Sequence, residues 1–183
     1  MMQIVSKFLL CQIFGWRWIG SVPNDLNKFL MVGFPHTSNW DSFYGWLLAK
    51  ALGIKLTFFV KDTFYVGPFK LIYILLGLTP VNRRESNNFV ESVAAEFRKR
   101  DKVVGVIAPE GTRKAVDKLK SGYYYLAKSG EVPLVLVGAH YSNRTFTIMP
   151  PRMVKSTFEE DQEDILAFCR TMEGRYPQNT FPK

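Results

Sequence analysis

The sequence contains only two cysteines, Cys11 and Cys169, which lie far apart. This pattern matches neither a zinc or redox motif nor the dense cysteine spacing of a disulfide-stabilised secreted domain. His140 has no acid or thiol beside it at ligand spacing, so we expect a structural role for it. We therefore expect no disulfide, no metal site and a reducing compartment.

Several signatures of other protein classes are also missing. No Gly-x-Ser-x-Gly elbow presents a serine nucleophile, and no Gly-Lys-Ser/Thr loop is present to hold a nucleotide phosphate. The chain has no zinc-finger spacing, aromatic RNA-binding signature or basic heptads, so we expect no nucleic-acid partner. In the absence of a covalent nucleophile, the simplest chemistry is direct attack by a hydroxyl group that a base activates.

No segment has the length of a transmembrane helix. The N-terminal residues 1–20 contain an uncharged run, but it is shorter than such a helix. Their uncharged run, Phe8–Trp16, is too short to cross a bilayer, and no small-residue cleavage site follows it. At helical spacing the segment has a loosely amphipathic pattern, which predicts an N-terminal amphipathic helix. This helix either lies on a membrane surface with tryptophan anchors or packs on the domain, and the sequence leaves both open.

Basic charge and aromatic residues are abundant. Lysine and arginine number 24 against 16 acidic residues, and the net charge of +8 favours anionic partners such as phospholipid headgroups. The alternative is that the positive charge only keeps the protein soluble. Aromatic residues make up 15% of the chain, which indicates a large core or a surface in contact with lipid.

Short apolar strands alternate with helical segments along the 183 residues. This alternation predicts a single α/β domain over 1–183, with a mostly parallel or mixed central sheet flanked by helices. The predicted strands are 28–35, 55–61, 78–83, 103–109, 132–139 and 145–149. The predicted helices are 39–52, 69–76, 87–100, 122–129 and 161–176.

Residues able to do chemistry follow several predicted strands. His36, Lys61, Arg83 and Glu110 each lie at or just after the end of one. Because ligands of open α/β sheets bind beyond the carboxyl ends of the strands, we expect these side chains at one rim. Lys61 and Arg83 are candidate contacts to a phosphate, although a solvated basic edge is an alternative for both.

His36 lies five positions ahead of Asp41, just before a predicted helix. With His36 in the loop and Asp41 in the first helical turn, the carboxylate can fix one imidazole nitrogen and leave the other as a general base. Ser38 suits the N-cap, and the spacing from Ser38 to Asp41 also matches a capping box. The two roles of Asp41 are compatible with each other.

The turn after Glu110 has the composition of a phosphate site. Gly111 permits a close backbone approach, while Thr112 and Arg113 add a hydroxyl group and a bidentate donor. A surface turn whose charges pair with each other is the alternative. Combined with the histidine segment, this turn indicates proton abstraction from a hydroxyl group of an anionic substrate.

These blocks, in this order, resemble those of the glycerolipid acyltransferases typified by bacterial 1-acylglycerol-3-phosphate acyltransferase. The matching segments are His-x4-Asp at 36–41 and Pro-Glu-Gly-Thr-Arg at 109–113. Residues 77–83 resemble the family's intervening block, with a glycine and then an arginine six positions later, and 132–137 resemble its fourth block. The similarity extends from about Phe29 to Gly138.

The resemblance implies transfer of a fatty acyl group from acyl-coenzyme A or acyl carrier protein to a lysophospholipid hydroxyl, foremost that of 1-acylglycerol-3-phosphate. It implies that His36 is the base and Asp41 its orienting partner. It also implies that Arg83, Glu110 and Arg113 bind the phosphorylated acceptor and that Gly111 shapes the turn. It implies no metal and no cofactor besides the acyl thioester co-substrate.

We expect a peripheral enzyme on the inner, cytoplasmic face of the cell membrane, bound to anionic lipid through basic charge and apolar segments near 1–19 and 64–78. The expected lipid contacts are Phe8, Trp16, Trp18, Phe64, Phe69 and Tyr73. Two alternatives of other classes are a non-catalytic lipid-binding protein of the same fold and an acyl thioesterase that uses water as the acceptor.

Overall fold

The computed structural model describes residues 2–61, 78–81 and 89–180. Within these residues, seven strands form one sheet in the order β1-β7-β6-β2-β5-β3-β4. The strands are β1 Arg17–Ile19, β2 Lys28–Phe34, β3 Leu56–Lys61, β4 Leu78–Val81, β5 Val103–Ile107, β6 Leu134–His140 and β7 Thr145–Ile148.

The strand β2 lies in the middle of the sheet, parallel to β5 on one side and to β6 on the other. Phe29 is in register with Val104, and Gly33 is in register with Val137. Strands β3 and β4 continue the parallel part, whereas β7 pairs antiparallel with β6. The carboxyl ends of β2, β5 and β6 therefore meet at one rim.

Five α-helices lie in the described part of the chain: α1 Met2–Phe8, α2 Asn39–Ala51, α3 Phe89–Lys99, α4 Gly122–Gly130 and α5 Phe158–Cys169. The helix α1 continues directly into a π-helical turn, Leu9–Ile13. A short 3-10 helix, Pro177–Asn179, follows α5.

The sheet separates two hydrophobic clusters, and β2 is therefore buried on both faces. Leu30, Val32 and Phe34 pack with residues of α3, α4 and α5, whereas Phe29 and Met31 pack with residues of α2. A strand covered on both sides needs apolar residues at successive positions, which explains the continuous run in β2. The α/β fold with a mixed sheet flanked by helices is thus confirmed.

Two predicted helices differ from the structure. The helix predicted over 161–176 runs instead from Phe158 to Cys169, where Thr157 caps its start and three acidic residues occupy its first turn. The N-terminal helix predicted over 1–20 ends by Ile13, and Arg17–Ile19 form the edge strand β1. Three residues are too few to show strand periodicity in a sequence. The predicted helix 69–76 lies outside the described residues.

The helix α1 has its apolar face outward. Ile4 and Phe8 are 74% and 55% exposed, whereas Ser6 is buried and the Gln3 amide donates a hydrogen bond to the carbonyl of Ala51. Polar groups therefore face the domain, contrary to the usual arrangement of a surface helix. No helix among the described residues is long and apolar enough to cross a membrane.

Candidate active site

His36 lies in a short loop between β2 and α2. The helix begins at Asn39 because the Ser38 hydroxyl group accepts a hydrogen bond from the amide of Trp40 at 3.1 Å. Ser38 itself has extended backbone angles, as an N-cap residue does. This cap fixes the point at which the chain turns from the loop into the helix, so Asp41 falls in the first turn, as predicted.

The Asp41 carboxylate is the centre of this loop. Its Oδ2 accepts hydrogen bonds from the amides of Thr37 and Ser38 at 2.6 and 2.7 Å, which completes the capping box. The same oxygen lies 3.5 Å from Nδ1 of His36. Asp41 thus caps the helix and faces the imidazole simultaneously, and the separation is in the range of catalytic pairs before substrate binds.

The other oxygen of Asp41 contacts Tyr141, the residue directly after β6. The Tyr141 hydroxyl group donates a hydrogen bond to Oδ1 at 2.5 Å. Burial, followed by this contact with the carboxylate, raises the pKa of Tyr141, so that the hydroxyl keeps its proton and remains a donor. Both oxygens of Asp41 are therefore held by donors, and the orientation of the carboxylate toward His36 is fixed.

Glu110 is buried behind the histidine loop. Its two carboxylate oxygens accept the backbone N–H of His36 at 3.1 and 3.0 Å. Burial raises the pKa of Glu110 to about 7, and the hydrogen bond from His36 partly opposes this rise. The side chain thus links the loops that follow β2 and β5. The predicted contact of Glu110 with the acceptor stays a prediction.

The turn after Glu110 is closed by Lys120. Gly111 has a φ of 65°, and a Cβ atom there would lie 2.6 Å from Nζ and 2.8 Å from Cε of Lys120. The left-handed backbone favours glycine, and a Cβ atom there would also displace the end of the Lys120 side chain. The turn therefore brings an ammonium group beside the backbone of 110–112, where Thr112 accepts a hydrogen bond from the Lys114 amide.

Arg113 joins this turn to the histidine loop. Its guanidinium donates a hydrogen bond to the Asn39 side chain, at the first residue of α2. The structure thus brings His36, Asp41, Glu110 and Arg113 to one rim. Arg83 and the side chain of Lys61 lie outside the described part of the structure, although Lys61 does end β3.

An apolar cavity of about 260 Å³ opens beside His36 and Asp41. It lies between α2 and the sheet, and its walls include Met31, Gly45, Leu48, Val137, Ala139 and Phe146. A Cβ atom at Gly33 or Gly45 would meet no other heavy atom within 4 Å, so the space beside both glycines is open. The two glycines keep the cavity open. Within the described residues, no group of three metal-ligating side chains occurs.

Sequence reasoning missed three contacts of this site: Tyr141, Lys120 and the C-terminal segment. The amide of Tyr176 donates to Oγ1 of Thr37 at 3.3 Å, and a Cβ at Gly174 would lie 2.6 Å from Cγ2 of Thr37. The segment after α5 therefore covers the loop beside His36. A tyrosine directly after a predicted strand was the available signal for Tyr141; no local pattern marks the others.

Comparisons with known proteins agree with this geometry. A family model described as Acyltransferase matches residues 25–143. The crystal structure of the 1-acyl-sn-glycerophosphate (LPA) acyltransferase PlsC from Thermotoga maritima matches with a TM-score of 0.58 and 14% identity, covering 95% of this chain and 79% of that chain. At this identity the structural match supports the fold alone. No curated protein sequence matches the chain.

Proposed function

Because the chain belongs to the acyltransferase family, whose model spans residues 25–143, we propose that it transfers a fatty acyl group from an acyl thioester to a lysophospholipid, foremost 1-acylglycerol-3-phosphate. The family relation predicted from the four sequence blocks is confirmed, and the chain is an acyltransferase. The nature of the thioester, the acceptor and the roles of the individual residues belong to the proposal.

One observation carries the proposal: His36 and Asp41 line an apolar cavity, and Tyr141 donates a hydrogen bond to the same Asp41 carboxylate that faces His36. Because Nδ1 of His36 faces the carboxylate, Nε2 is the nitrogen left for a substrate. A carboxylate beside the imidazole stabilises the imidazolium that forms when Nε2 accepts a proton. The cavity provides an apolar environment in which the acyl chain of the donor lies next to this base.

In the proposed reaction, Nε2 of His36 takes the proton from the acceptor hydroxyl as its oxygen attacks the thioester carbonyl carbon. A new C–O bond forms and gives a tetrahedral intermediate. The C–S bond then breaks, the acyl group stays on the acceptor oxygen, and the thiolate leaves. The proton held by His36 neutralises the thiolate, so the imidazole returns to its starting state.

The acceptor phosphate is proposed to bind at the turn 110–113. Arg113 offers a guanidinium beside the start of α2, and Lys120 adds an ammonium group beside Gly111. A phosphate between these cations forms charge-assisted hydrogen bonds, and the helix start adds a favourable partial charge. Arg83 and Lys61 remain proposed contacts from the sequence.

The apolar face of α1 is proposed to contact an anionic bilayer on the inner, cytoplasmic face of the cell membrane. Ile4, Val5 and Phe8 of α1 are each at least half exposed, as is Ile13 of the following π-helical turn, and the chain carries a net charge of +8. Apolar burial and attraction to anionic lipid act together in such helices. Six aromatic residues were predicted to contact lipid. This prediction is wrong for Trp16, which is only 3% exposed and packs in the core.

Trp18 is partly buried against the same core cluster, and the Lys7 ammonium lies 5.8 Å from its ring centre. Phe8 remains a proposed lipid contact. Phe64, Phe69 and Tyr73 lie outside the described residues.

The decisive experiment incubates the full chain with acyl-coenzyme A or acyl carrier protein and a panel of lysolipids, and measures thiol release together with lipid products by mass spectrometry. His36→Ala is expected to lower transfer by about 10²–10⁴-fold, the usual contribution of a general base. His140→Ala is the matched control, because His140 contacts Ser142 and Glu173 away from Asp41.

The same experiment separates the alternatives. Thiol release that does not require a lysolipid would indicate a thioesterase. Lipid binding without thiol release in the presence of every donor and acceptor would indicate a non-catalytic lipid-binding protein. Full transfer by a folded His36→Ala variant would overturn the base assignment.

A further inference from the structure

A second concave site has Tyr141 in its wall and shares no lining residue with the apolar cavity. It is a cleft of about 540 Å³ at the junction of the N-terminal segment, α2, the β6–β7 turn and the C-terminal segment. We refer to it as the basic-aromatic cleft. Aromatic side chains and two arginines line it, and they include Phe14, Trp16, Tyr44, Tyr141, Arg144 and Arg175.

The positive charge of this cleft is not neutralised by an ion pair. Among the described residues, neither Arg144 nor Arg175 has a carboxylate oxygen within 4 Å, and the Glu173 carboxylate nearby lies 4.0 Å from Nδ1 of His140. The guanidinium of Arg175 lies 5.3 Å from the centre of the Trp40 ring. Two arginines facing one cleft favour an anion that accepts several hydrogen bonds, and phosphate is such a group.

The backbone holds Arg144 in place at a conformational cost. Arg144 has a φ of 50°, a left-handed conformation that few residues other than glycine and asparagine adopt. Its Nη1 donates to the carbonyl of Phe14 at 3.3 Å, and a Cβ at Gly15 would lie 3.1 Å from this nitrogen. Gly15 therefore leaves room for the guanidinium, and the tight turn directs it over the cleft.

The surroundings of the cleft are apolar and exposed. Ile13 lines it and is 59% exposed, while Trp40 and Phe43 stand beside it at 44% and 38%. Phe14 packs edge-on against Phe43 and continues this surface toward α1. Exposed aromatic and aliphatic side chains around a pair of arginines match the boundary between lipid headgroups and acyl chains.

We propose that the basic-aromatic cleft binds the phosphate of an anionic phospholipid of the bilayer, separately from the acceptor bound at the turn 110–113. The inference rests on the proposed contact of α1 with the bilayer. Tyr141 is both a wall of this cleft and the donor to Asp41, so a lipid held there lies one side chain away from the catalytic carboxylate. The bilayer surface is thereby fixed next to His36.

The test measures binding of dihexanoyl-phosphatidylglycerol, below the concentration at which it forms micelles, through the fluorescence of the tryptophans near the cleft. Arg144→Gln/Arg175→Gln is compared with Lys55→Gln/Lys102→Gln, which removes the same charge at the opposite rim of the sheet. Each arginine is expected to contribute roughly fivefold to the affinity, so the double arginine variant is expected to bind the lipid roughly 30-fold more weakly. The lysine variant is expected to bind as the wild type does.

Equal binding by the arginine variant and the wild type would overturn the proposal. So would displacement of the lipid by coenzyme A that depends on both arginines, because the cleft would then take the phosphates of the donor. Flotation with phosphatidylglycerol vesicles tests the membrane contact separately. Arginine-dependent binding of the soluble lipid, without vesicle binding by the wild type, would show an anion site in the cleft but would overturn both its use for a bilayer lipid and the proposed contact of α1.

Discussion

The Tyr141 hydroxyl group donates a hydrogen bond to Oδ1 of Asp41, while Oδ2 of the same carboxylate faces His36 and caps α2. One acidic side chain therefore connects the start of a helix, the candidate base and the end of the strand β6. The capping and catalytic interpretations of Asp41 are not alternatives in this geometry, because the amides that it caps also hold it beside the imidazole.

Tyr141→Phe is expected to lower kcat about tenfold with little change in KM. The variant removes a hydrogen bond to a charged group, which is worth about 1.5–3 kcal/mol, and the carboxylate then loses part of its orientation toward His36. Steady-state kinetics with saturating donor would measure the effect.

Tyr124→Phe is the matched control for this variant. It also removes a tyrosine hydroxyl with a hydrogen bond, here to the carbonyl of Ser156 at 2.8 Å on the other face of the sheet. It is expected to lower stability without lowering kcat. An equal loss of kcat in both variants would assign Tyr141 a general structural role.

Glu110 predicts a pH-dependent stability. Its pKa rises from 4.5 to about 7 in the folded chain, so between these values the folded state binds more protons than the unfolded state. The free energy of unfolding from this group is therefore highest below pH 4.5 and falls as the pH rises through about 7. The total loss is about 3 kcal/mol, at about 1.4 kcal/mol for each pKa unit.

Urea unfolding of the wild type and Glu110→Gln across this pH range would measure the loss. Glutamine keeps a carbonyl oxygen that can accept the hydrogen bond from the His36 amide, but it does not ionise. The free energy of unfolding of the variant is therefore expected not to fall over this pH range. Parallel pH profiles for the two proteins would contradict the assignment to Glu110.

Lys120→Gln is expected to raise the KM of a phosphorylated acceptor about tenfold, with a smaller effect on an uncharged acceptor alcohol. The variant removes the ammonium group beside Gly111, and a charge-assisted contact of this kind contributes about 1.5 kcal/mol or more. Lys118→Gln, two positions earlier on the exposed surface, is the control of equal charge. A rise in KM shared by both lysine variants would reflect net charge alone.

Gly45→Leu is expected to shorten the acyl chains that the enzyme accepts. A side chain at Gly45 would enter the apolar cavity without meeting another atom within 4 Å of its Cβ. Each methylene excluded from the cavity costs about 0.8 kcal/mol, so exclusion of about two methylenes is expected to lower kcat/KM for long donors roughly tenfold while short donors are unaffected.

Competition between donors of different chain length would show this shift. Gly122→Ala, at the start of α4 and outside the cavity, is the control and is expected to leave the chain-length preference unchanged. An unaltered preference in Gly45→Leu would mean that the acyl chain lies elsewhere.

The sequence predicted the rim of the sheet well because its signals there are local. The apolar run of β2 followed by His36, and the cap residue Ser38 followed by Asp41, each lie within one segment, and strand ends in a parallel sheet converge. His36 and Glu110 could therefore be expected near each other, and the structure links them by hydrogen bonds.

The remainder of the site depends on long-range register. Tyr141 reaches Asp41 only because β6 pairs directly with β2, and a sequence pattern does not state which strands are neighbours. Trp16 looked like a membrane anchor because aromatic residues serve both lipid surfaces and cores. Its stacking on Phe146 of β7 became apparent only with the edge strand β1 in place.

The contact between Tyr176 and Thr37 has a consequence for biosynthesis. Residues near position 37 leave the ribosome early, whereas Gly174 and Tyr176, which cover them, are made about 140 residues later, and domains generally fold as units. A nascent or prematurely terminated chain can therefore contain every residue of the histidine and Pro-Glu-Gly-Thr-Arg blocks and still lack the segment that covers this loop.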